Sequence, residues 1–349
     1  MKLLLAGLFG VTLLAYLPVR TAQFVYEDET YVLPAQRALT AGEVFAPRGL
    51  TAVSFRLNAL WGGRDPSGYH AVNVFLHLLV GVGVYALAAR WLQARYALLA
   101  SALFLLHPIQ TEAVAYVAGR AELLAALGTL GVVWAVTAPR VTATHLGLAL
   151  IGAVVAIGGK DLGVTAGPLA LLALGWFRWS GWSWRVLGVA SVGVLAICVL
   201  AWAVASVRLL HNPYVGQSPY HGFGYLCMQS WALWTLLRLV IWPVGFTIDH
   251  DLELVSRVGA MGSLAAGLIA VGLAWHLRRR WPVVSFGVFW MVLALLPRFF
   301  VPIPELLNEH QLYTPMIGIV LALSASVSHL AAWWASPQAT AEAACVRAG

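Results

Sequence analysis

Three acidic residues in a row, Glu27, Asp28 and Glu29, stand between Tyr26 and Tyr31 just beyond an apolar N-terminal run. Adjacent carboxylates raise one another's pKa unless a cation offsets them. Such a cluster serves as a general base, alone or beside a divalent cation (Mg or Mn) held by Glu27 and Asp28, or else it is a solvated juxtamembrane turn. The flanking tyrosines favour a walled site.

Further groups break apolar runs elsewhere. His107-Pro108-Ile109-Gln110-Thr111-Glu112 leads into Gly119-Arg120-Ala121-Glu122 at the head of a long apolar stretch. An ionisable group at the centre of a membrane helix costs about 2.5–3.5 kcal/mol on insertion scales. Arg120 therefore reads either as a grip on a phosphate or as half of a local ion pair with Glu112 or Glu122. Lys160-Asp161 invites the same two readings, phosphate contact or hydrated hairpin. Arg298 precedes Pro302 and Pro304, and Asn308-Glu309-His310-Gln311-Leu312-Tyr313 opens the last apolar run as an interfacial cap with Tyr313 as a belt residue. His70, Asn73 and His77 share one helical face. No carboxylate or Cys joins them there, so the spacing favours hydrogen bonding to other helices over metal binding.

The elements that position these residues must lie in a bilayer. Of 349 residues 61% are hydrophobic and 10% charged, and the mean hydropathy is +0.82. Soluble domains carry about 25% charged residues. A water-soluble enzyme, a disordered chain and a nucleic-acid-binding domain are excluded. The formal charge of +7 follows from basic cytoplasmic loops rather than from an acidic partner. Cys198, Cys227 and Cys345 have no metal-ligand spacing. Lys2 and the apolar run after it lack a clean cleavage site, so the run is expected to stay as a first span.

Charge-poor stretches predict ten spans near 3–19, 68–89, 96–108, 119–137, 142–159, 162–177, 186–207, 258–277, 282–297 and 312–334. Arg90/Arg95, Arg140, Arg178/Arg185 and Arg278–Arg280 mark one face as cytoplasmic, with a cytoplasmic N-terminus. Crossings between 207 and 259 must then be even in number. The apolar stretch 225–244, interrupted by Pro243, is accordingly expected to be re-entrant or interfacial. Of 14 Asp and Glu residues, this threading leaves only Glu342 on the cytoplasmic side. Arg20, Arg37, Arg48, Arg56, Arg64, Arg120, Lys160, Arg208, Arg238, Arg257 and Arg298 lie opposite, against the positive-inside tendency. A layer crowded with both signs predicts a polar site above the bundle. Within the first outer loop, 20–67, Leu50, Val53, Leu57 and Leu60/Trp61 recur at helical spacing, predicting an amphipathic helix on the membrane surface. The expected class is an all-α polytopic membrane protein, with one integral domain over 1–336 and a short cytoplasmic tail over 337–349. A transporter or flippase for a lipid-linked substrate competes, but it predicts midplane charges and paired broken helices, and no repeat is visible.

The order of an acidic pair after the first span, "FAPRGLTAVSFRLN", "GYHAVNVFLHLL", "LLHPIQTEAVAYVAGRAELLA", "YLCMQSWALWTLLRLVIWPVGFTIDHD" and "NEHQLYTPMIGI" resembles the membrane domain of bacterial relatives of the TMTC-type protein O-mannosyltransferases. These are polyprenyl-phosphate-sugar glycosyltransferases of the GT-C superfamily. The resemblance runs from about Phe24 to Leu323, and "HPIQTEAVAYVAGRAELL" is its most specific part. It departs from the family in two respects. No TPR array follows Ser336, and the usual Asp-Asp pair stands here as Glu27-Asp28 or Asp28-Glu29. The resemblance implies a GT-C-like bundle in a bacterial inner membrane with its site facing the periplasm. It also implies inverting transfer of a mannose-like sugar from a polyprenyl-phosphate donor to a protein hydroxyl, or to a lipid or polysaccharide acceptor. Asp28 would be the base, oriented by Glu27 or Glu29. Arg120, Lys160, Arg298 and His310 would bind the donor phosphate, and Tyr26, Tyr31, Arg48, His107, Glu112 and Glu309 would wall the site.

Overall fold

The computed structural model describes residues 2–25, 28–32, 37–45, 48–177, 216–247, 255–302 and 305–335. Among them there are helices and no strands. In chain order these are α1 (Lys2–Tyr16), α2 (Asp28–Val32), α3 (Ala41–Phe45), α4 (Gly49–Gly62), α5 (Pro66–Ala88), α6 (Ala94–Leu106), α7 (Thr111–Ala115) and α8 (Arg120–Val136). Then follow α9 (Ala143–Gly159), α10 (Ala166–Phe177), α11 (Gly222–Ile241), α12 (Arg257–Leu277), α13 (Pro282–Phe300) and α14 (Tyr313–Trp334).

Five helical stretches are long and apolar enough to cross a membrane: Pro66–Ala88, Val117–Val136, Arg257–Leu277, Pro282–Phe300 and Glu309–Trp334. A sixth is a bent pair, Ala94–Leu106 with Pro108–Ala115, turning by 53°. Pro108 explains the bend, since its ring cannot continue the hydrogen-bond ladder of α6. The expected spans 3–19, 142–159 and 162–177 are apolar helices too short to be counted alone, so the described residues carry five or six spans rather than ten. The span expected at 186–207 lies outside the described residues. The 225–244 stretch forms α11, a continuous helix that stops at Ile241, ahead of Pro243.

Small residues set the tightest helix contacts. A Cβ on Gly287 would come within 2.3 Å of the Gly318 carbonyl, and one on Gly318 equally close to that of Gly287, so α13 and α14 meet backbone to backbone. Gly128 of α8 approaches Gly152 and Ala156 of α9 in the same way. In lipid, where no hydrophobic drive separates helix from tail, such close packing and interhelical hydrogen bonds hold the bundle. The core runs through α5, α6, α8, α13 and α14, with Val80, Phe104, Leu130, Trp290 and Tyr313 in one cluster. α12 shows the opposite character: Val258, Leu268, Ile269 and Leu273 are all exposed, as expected of a lipid-facing helix.

The outer-loop helix forms where expected, as α4. Leu57, Leu60 and Trp61 face outward, Trp61 at 86% exposure. Its other face is buried: Thr51 Oγ1 donates to Gly159 O at 2.8 Å and Asn58 Nδ2 to Gly68 O at 3.2 Å. α4 is therefore wedged onto the bundle by polar side chains, with its apolar stripe left for the lipid.

Candidate functional site

The charged groups gather at one end of the bundle, around the broken stretch 107–122. Two turns interrupt it. Pro108–Gln110 links α6 to α7, and Val117–Gly119 links α7 to α8. Each interruption turns backbone and side chains toward neighbouring elements, and further polar contacts surround the stretch.

His107 Nε2 bonds Val240 O of α11 at 2.9 Å, while its Nδ1 accepts the Ile109 amide. His107 is thus a joint between helices. Glu112 accepts twice from His310, from the backbone N–H at 2.7 Å and from the ring Nδ1 at 2.6 Å. Glu122 pairs with Lys160, both nearly buried, and its Oε1 lies 3.9 Å from His310 Nε2. Glu112, His310, Glu122 and Lys160 therefore form one chain of ionisable groups. Arg48 Nη2 stands 3.9 Å from Asp161 Oδ2, which ties the outer loop to the end of α9. Glu309 Oε1 accepts from Thr247 N at 3.0 Å and anchors the segment after α11.

Asp28 opens α2 and is 0% exposed. Its Oδ1 accepts the Ala118 amide at 2.8 Å and its Oδ2 the Val25 amide at 3.1 Å. Burial pushes its carboxyl above the usual aspartate range, against the pull of those N–H groups. Glu29 is exposed. Glu27 and Tyr26 lie outside the described residues. Among the described residues no three His, Cys, Asp or Glu side chains come together as a metal site. Each Asp28 oxygen accepts one backbone N–H, and Glu27, the other expected cation ligand, lies outside the described residues.

Arg120 does not form the local ion pair that its neighbours in sequence offer. It is 0% exposed and pairs with neither Glu112 nor Glu122. Its Nε donates to Asn73 Oδ1 at 2.9 Å, its Nη2 to Tyr69 O at 3.0 Å and its Nη1 to Ser54 Oγ at 3.3 Å. Its guanidinium lies 4.5 Å from the centre of the Phe55 ring. The glutamates bind other cations because α8 points Glu122 and Arg120 to different sides, a separation that proximity in sequence does not reveal.

Arg298 is the contrasting cation. It ends α13 and donates from Nη2 to Glu305 O at 3.3 Å, while its Nε has no hydrogen-bond partner among the described residues. It lines a cleft between α11 and α13 together with Gln229, Ala232, Leu233, Leu236, Leu295, Phe299, Leu306 and Gln311. Gln311 is 3% exposed and its Nε2 also lacks a partner. Gln229, Gln311 and Asn73 were not singled out as site residues from sequence. Asn73 and Gln311 sat in flagged stretches, and only the spatial order of the helices gives them roles.

His70, Asn73 and His77 do bond other elements. His77 meets Tyr313 Oη at 2.7 Å and Leu105 O at 3.1 Å, His70 meets Ala22 O at 3.2 Å, and Asn73 meets three carbonyls of 114–117.

Fold and site define a polytopic helical membrane protein with a buried chain of acids and bases at one bundle end. The chain is 40% identical over 142 residues to the protein O-mannosyl-transferase Tmtc1 of Drosophila melanogaster, covering 34% of this chain and 16% of that protein. It is 42% identical over 80 residues to human TMTC3 (23% of this chain, 9% of the relative) and 43% over 95 residues to human TMTC4 (23% and 13%). Both carry the same protein O-mannosyl-transferase name. The matched stretches span 9–16% of these relatives' own length. No family model and no solved structure matches the chain.

Proposed function

We propose that this chain is a membrane glycosyltransferase that moves a mannose-like sugar from a polyprenyl-phosphate donor to a protein hydroxyl, with inversion. The names of the similar proteins support the reaction class. One structural observation carries the donor: the cleft beside Arg298 has largely apolar walls, and two of its lining residues, Arg298 and Gln311, have an N–H group with no hydrogen-bond partner among the described residues. An apolar tail with an anionic head suits that lining.

In this reading the donor phosphate lies against Arg298, with Lys160 adding positive charge and the His310 ring nearby. The leaving phosphate is already an anion, so the demands are a base for the acceptor hydroxyl and stabilisation of the departing charge. Asp28 removes the hydroxyl proton as the acceptor oxygen attacks the anomeric carbon from the face opposite the phosphate. Its raised affinity for protons suits a base. Arg120, buried and bonded to protein groups through all three of its nitrogens, holds the frame instead of the phosphate. A GT-C-like bundle with ten crossings, both ends cytoplasmic, would place this end at the outer face of a bacterial inner membrane. The nine apolar segments among the described residues and the stretch 186–207 make up that number, with 225–244 not crossing. Cysteine labelling at positions 250 and 279 tests the topology, since access to 250 from the cytoplasm and to 279 from outside would reverse it.

Transfer from polyprenyl-phosphate [³H]mannose by the purified protein, over a panel of peptide, lipid and polysaccharide acceptors, tests the function. Label in peptide, lost in Asp28→Asn with donor binding retained, is the expected result. Label only in lipid or polysaccharide would move the acceptor class. Normal turnover in Asp28→Asn, with Glu27→Gln or Glu29→Gln inactive, would move the base.

A further inference from the structure

Two N–H groups hold Asp28, and both are held in turn by one face of α5. Asn73 is 0% exposed, and its Nδ2 faces Val114 O at 3.3 Å, Tyr116 O at 3.1 Å and Val117 O at 3.3 Å. Those carbonyls define the turn whose next amide, on Ala118, reaches Asp28 Oδ1 at 2.8 Å. The turn is tight enough that a Cβ on Gly119 would meet Ala113 O at 2.2 Å. One helical turn earlier, His70 Nε2 bonds Ala22 O at 3.2 Å. That fixes the strand of chain running to Val25, whose amide reaches Asp28 Oδ2 at 3.1 Å.

Arg120 stands behind this face. Its Nε takes Asn73 Oδ1, so the Asn73 amide can turn only its NH₂ toward the three carbonyls. Two more of its donors are held by Tyr69 O and Ser54 Oγ, and Phe55 covers it. A buried guanidinium whose acceptors among the described residues are neutral is a costly way to tie helices together. What it gains here is a single orientation for Asn73.

We infer that Arg120, Asn73 and His70 are positioning residues for Asp28, acting through the backbone amides of Ala118 and Val25. The inference rests on the reading of Asp28 as the base. It assigns these residues no contact with substrate.

The test needs a readout independent of activity as well as a kinetic one. Hydrogen exchange of the 114–119 segment reports the Ala118 amide. We expect Asn73→Ala and Arg120→Lys to exchange there at least about ten-fold faster than the parent. Transfer from polyprenyl-phosphate [³H]mannose should show kcat down by about ten-fold or more in both variants, with donor KM within about two-fold. His70→Phe should behave alike, and His70→Gln, which keeps an N–H donor, should recover most of the rate. Where Asn73→Ala does not fold, Arg120→Lys and the His70 pair carry the test. Unchanged exchange at 114–119 in the folded Asn73→Ala and Arg120→Lys variants, or at 22–25 in His70→Phe, overturns the inference whatever the activity. Faster exchange with unchanged kcat overturns it too, provided that Asp28→Asn is inactive. Full turnover in Asp28→Asn instead overturns the base reading, and the exchange result still decides whether these residues hold the turn.

Discussion

Arg120 and Arg298 are the same side chain in two opposite situations. Arg120 uses Nε, Nη1 and Nη2 on Asn73, Ser54 and the Tyr69 carbonyl, under the Phe55 ring. Arg298 makes one long bond to the Glu305 carbonyl, and its Nε, in a residue lining a cleft, has no partner among the described residues. A guanidinium with bonds on all three nitrogens has less to offer a ligand. An unsaturated buried donor is a cost carried by the fold, which a ligand removes. The first arrangement suits a scaffold and the second suits a site.

Exchanging each arginine for alanine breaks the comparison most directly. Arg120→Ala removes three hydrogen bonds at once and leaves the buried Asn73 Oδ1 without its donor, at about 1–3 kcal/mol for that acceptor alone. A void under Phe55 adds to the loss. We expect the largest drop in thermal midpoint of any single change at this end. Arg298→Ala should melt within a few degrees of the parent while losing binding of the polyprenyl-phosphate donor. The reverse pattern, a stable Arg120→Ala without donor binding, would return the phosphate to Arg120.

Glu122→Gln comes next. Its partner Lys160 would be left buried without its carboxylate, and breaking a buried pair on one side costs about 3–5 kcal/mol at the upper end. Glu122→Gln with Lys160→Met should recover much of that stability, because an apolar replacement of both partners leaves no orphaned charge. A double variant as unstable as the single one would show that Lys160 is held by groups other than Glu122.

How much of this contrast was legible in the sequence depends on what each residue's neighbours in the chain reveal. Apolar runs with charged ends give the helices, because burial in lipid demands that pattern whatever packs against it. The stripe of Leu57, Leu60 and Trp61 likewise marks the outward face of α4. The face of His70, Asn73 and His77 announces interhelical bonding, since polar groups in a bundle need partners. Partner identity is another matter. Arg120 sits two residues from Glu122, yet its acceptors come from positions 54, 69 and 73. Glu112 finds His310, 198 residues away. Such pairs depend on which helices are neighbours, and one sequence carries no signal for that. The short apolar runs 3–19, 142–159 and 162–177 show the same limit, for their length alone does not say whether neighbours complete the crossing.

A milder expectation concerns pH. Burial raises the Asp28 carboxyl, and transfer needs it ionised. The acid limb of kcat should therefore fall at a pH above the ordinary aspartate value of about 3.9. The sign for stability is opposite. A raised folded-state pKa contributes stability that is present below the unfolded value and lost as pH rises through the folded one. Acid should thus reduce turnover while the contribution of Asp28 to stability is retained. An acid limb at or below the ordinary aspartate value would mean that Asp28 is not the base.

Gln311 offers the smallest change and the finest distinction. Its Nε2 is buried at the cleft with no hydrogen-bond partner among the described residues. Gln311→Met keeps nearly the same length and volume and removes that unmet donor. Replacing a buried polar group by an apolar one of similar shape is close to neutral, and here it relieves a desolvation cost. The thermal midpoint should stay level or rise slightly. If Nε2 waits for the donor phosphate, the same change raises donor KM several-fold, because one N–H contact is lost on binding. A stability penalty comparable to that of Arg120→Ala would mean that Gln311 is satisfied within the protein. Arg298 would then stand alone at the cleft, and the contrast with Arg120 would rest on a single open donor.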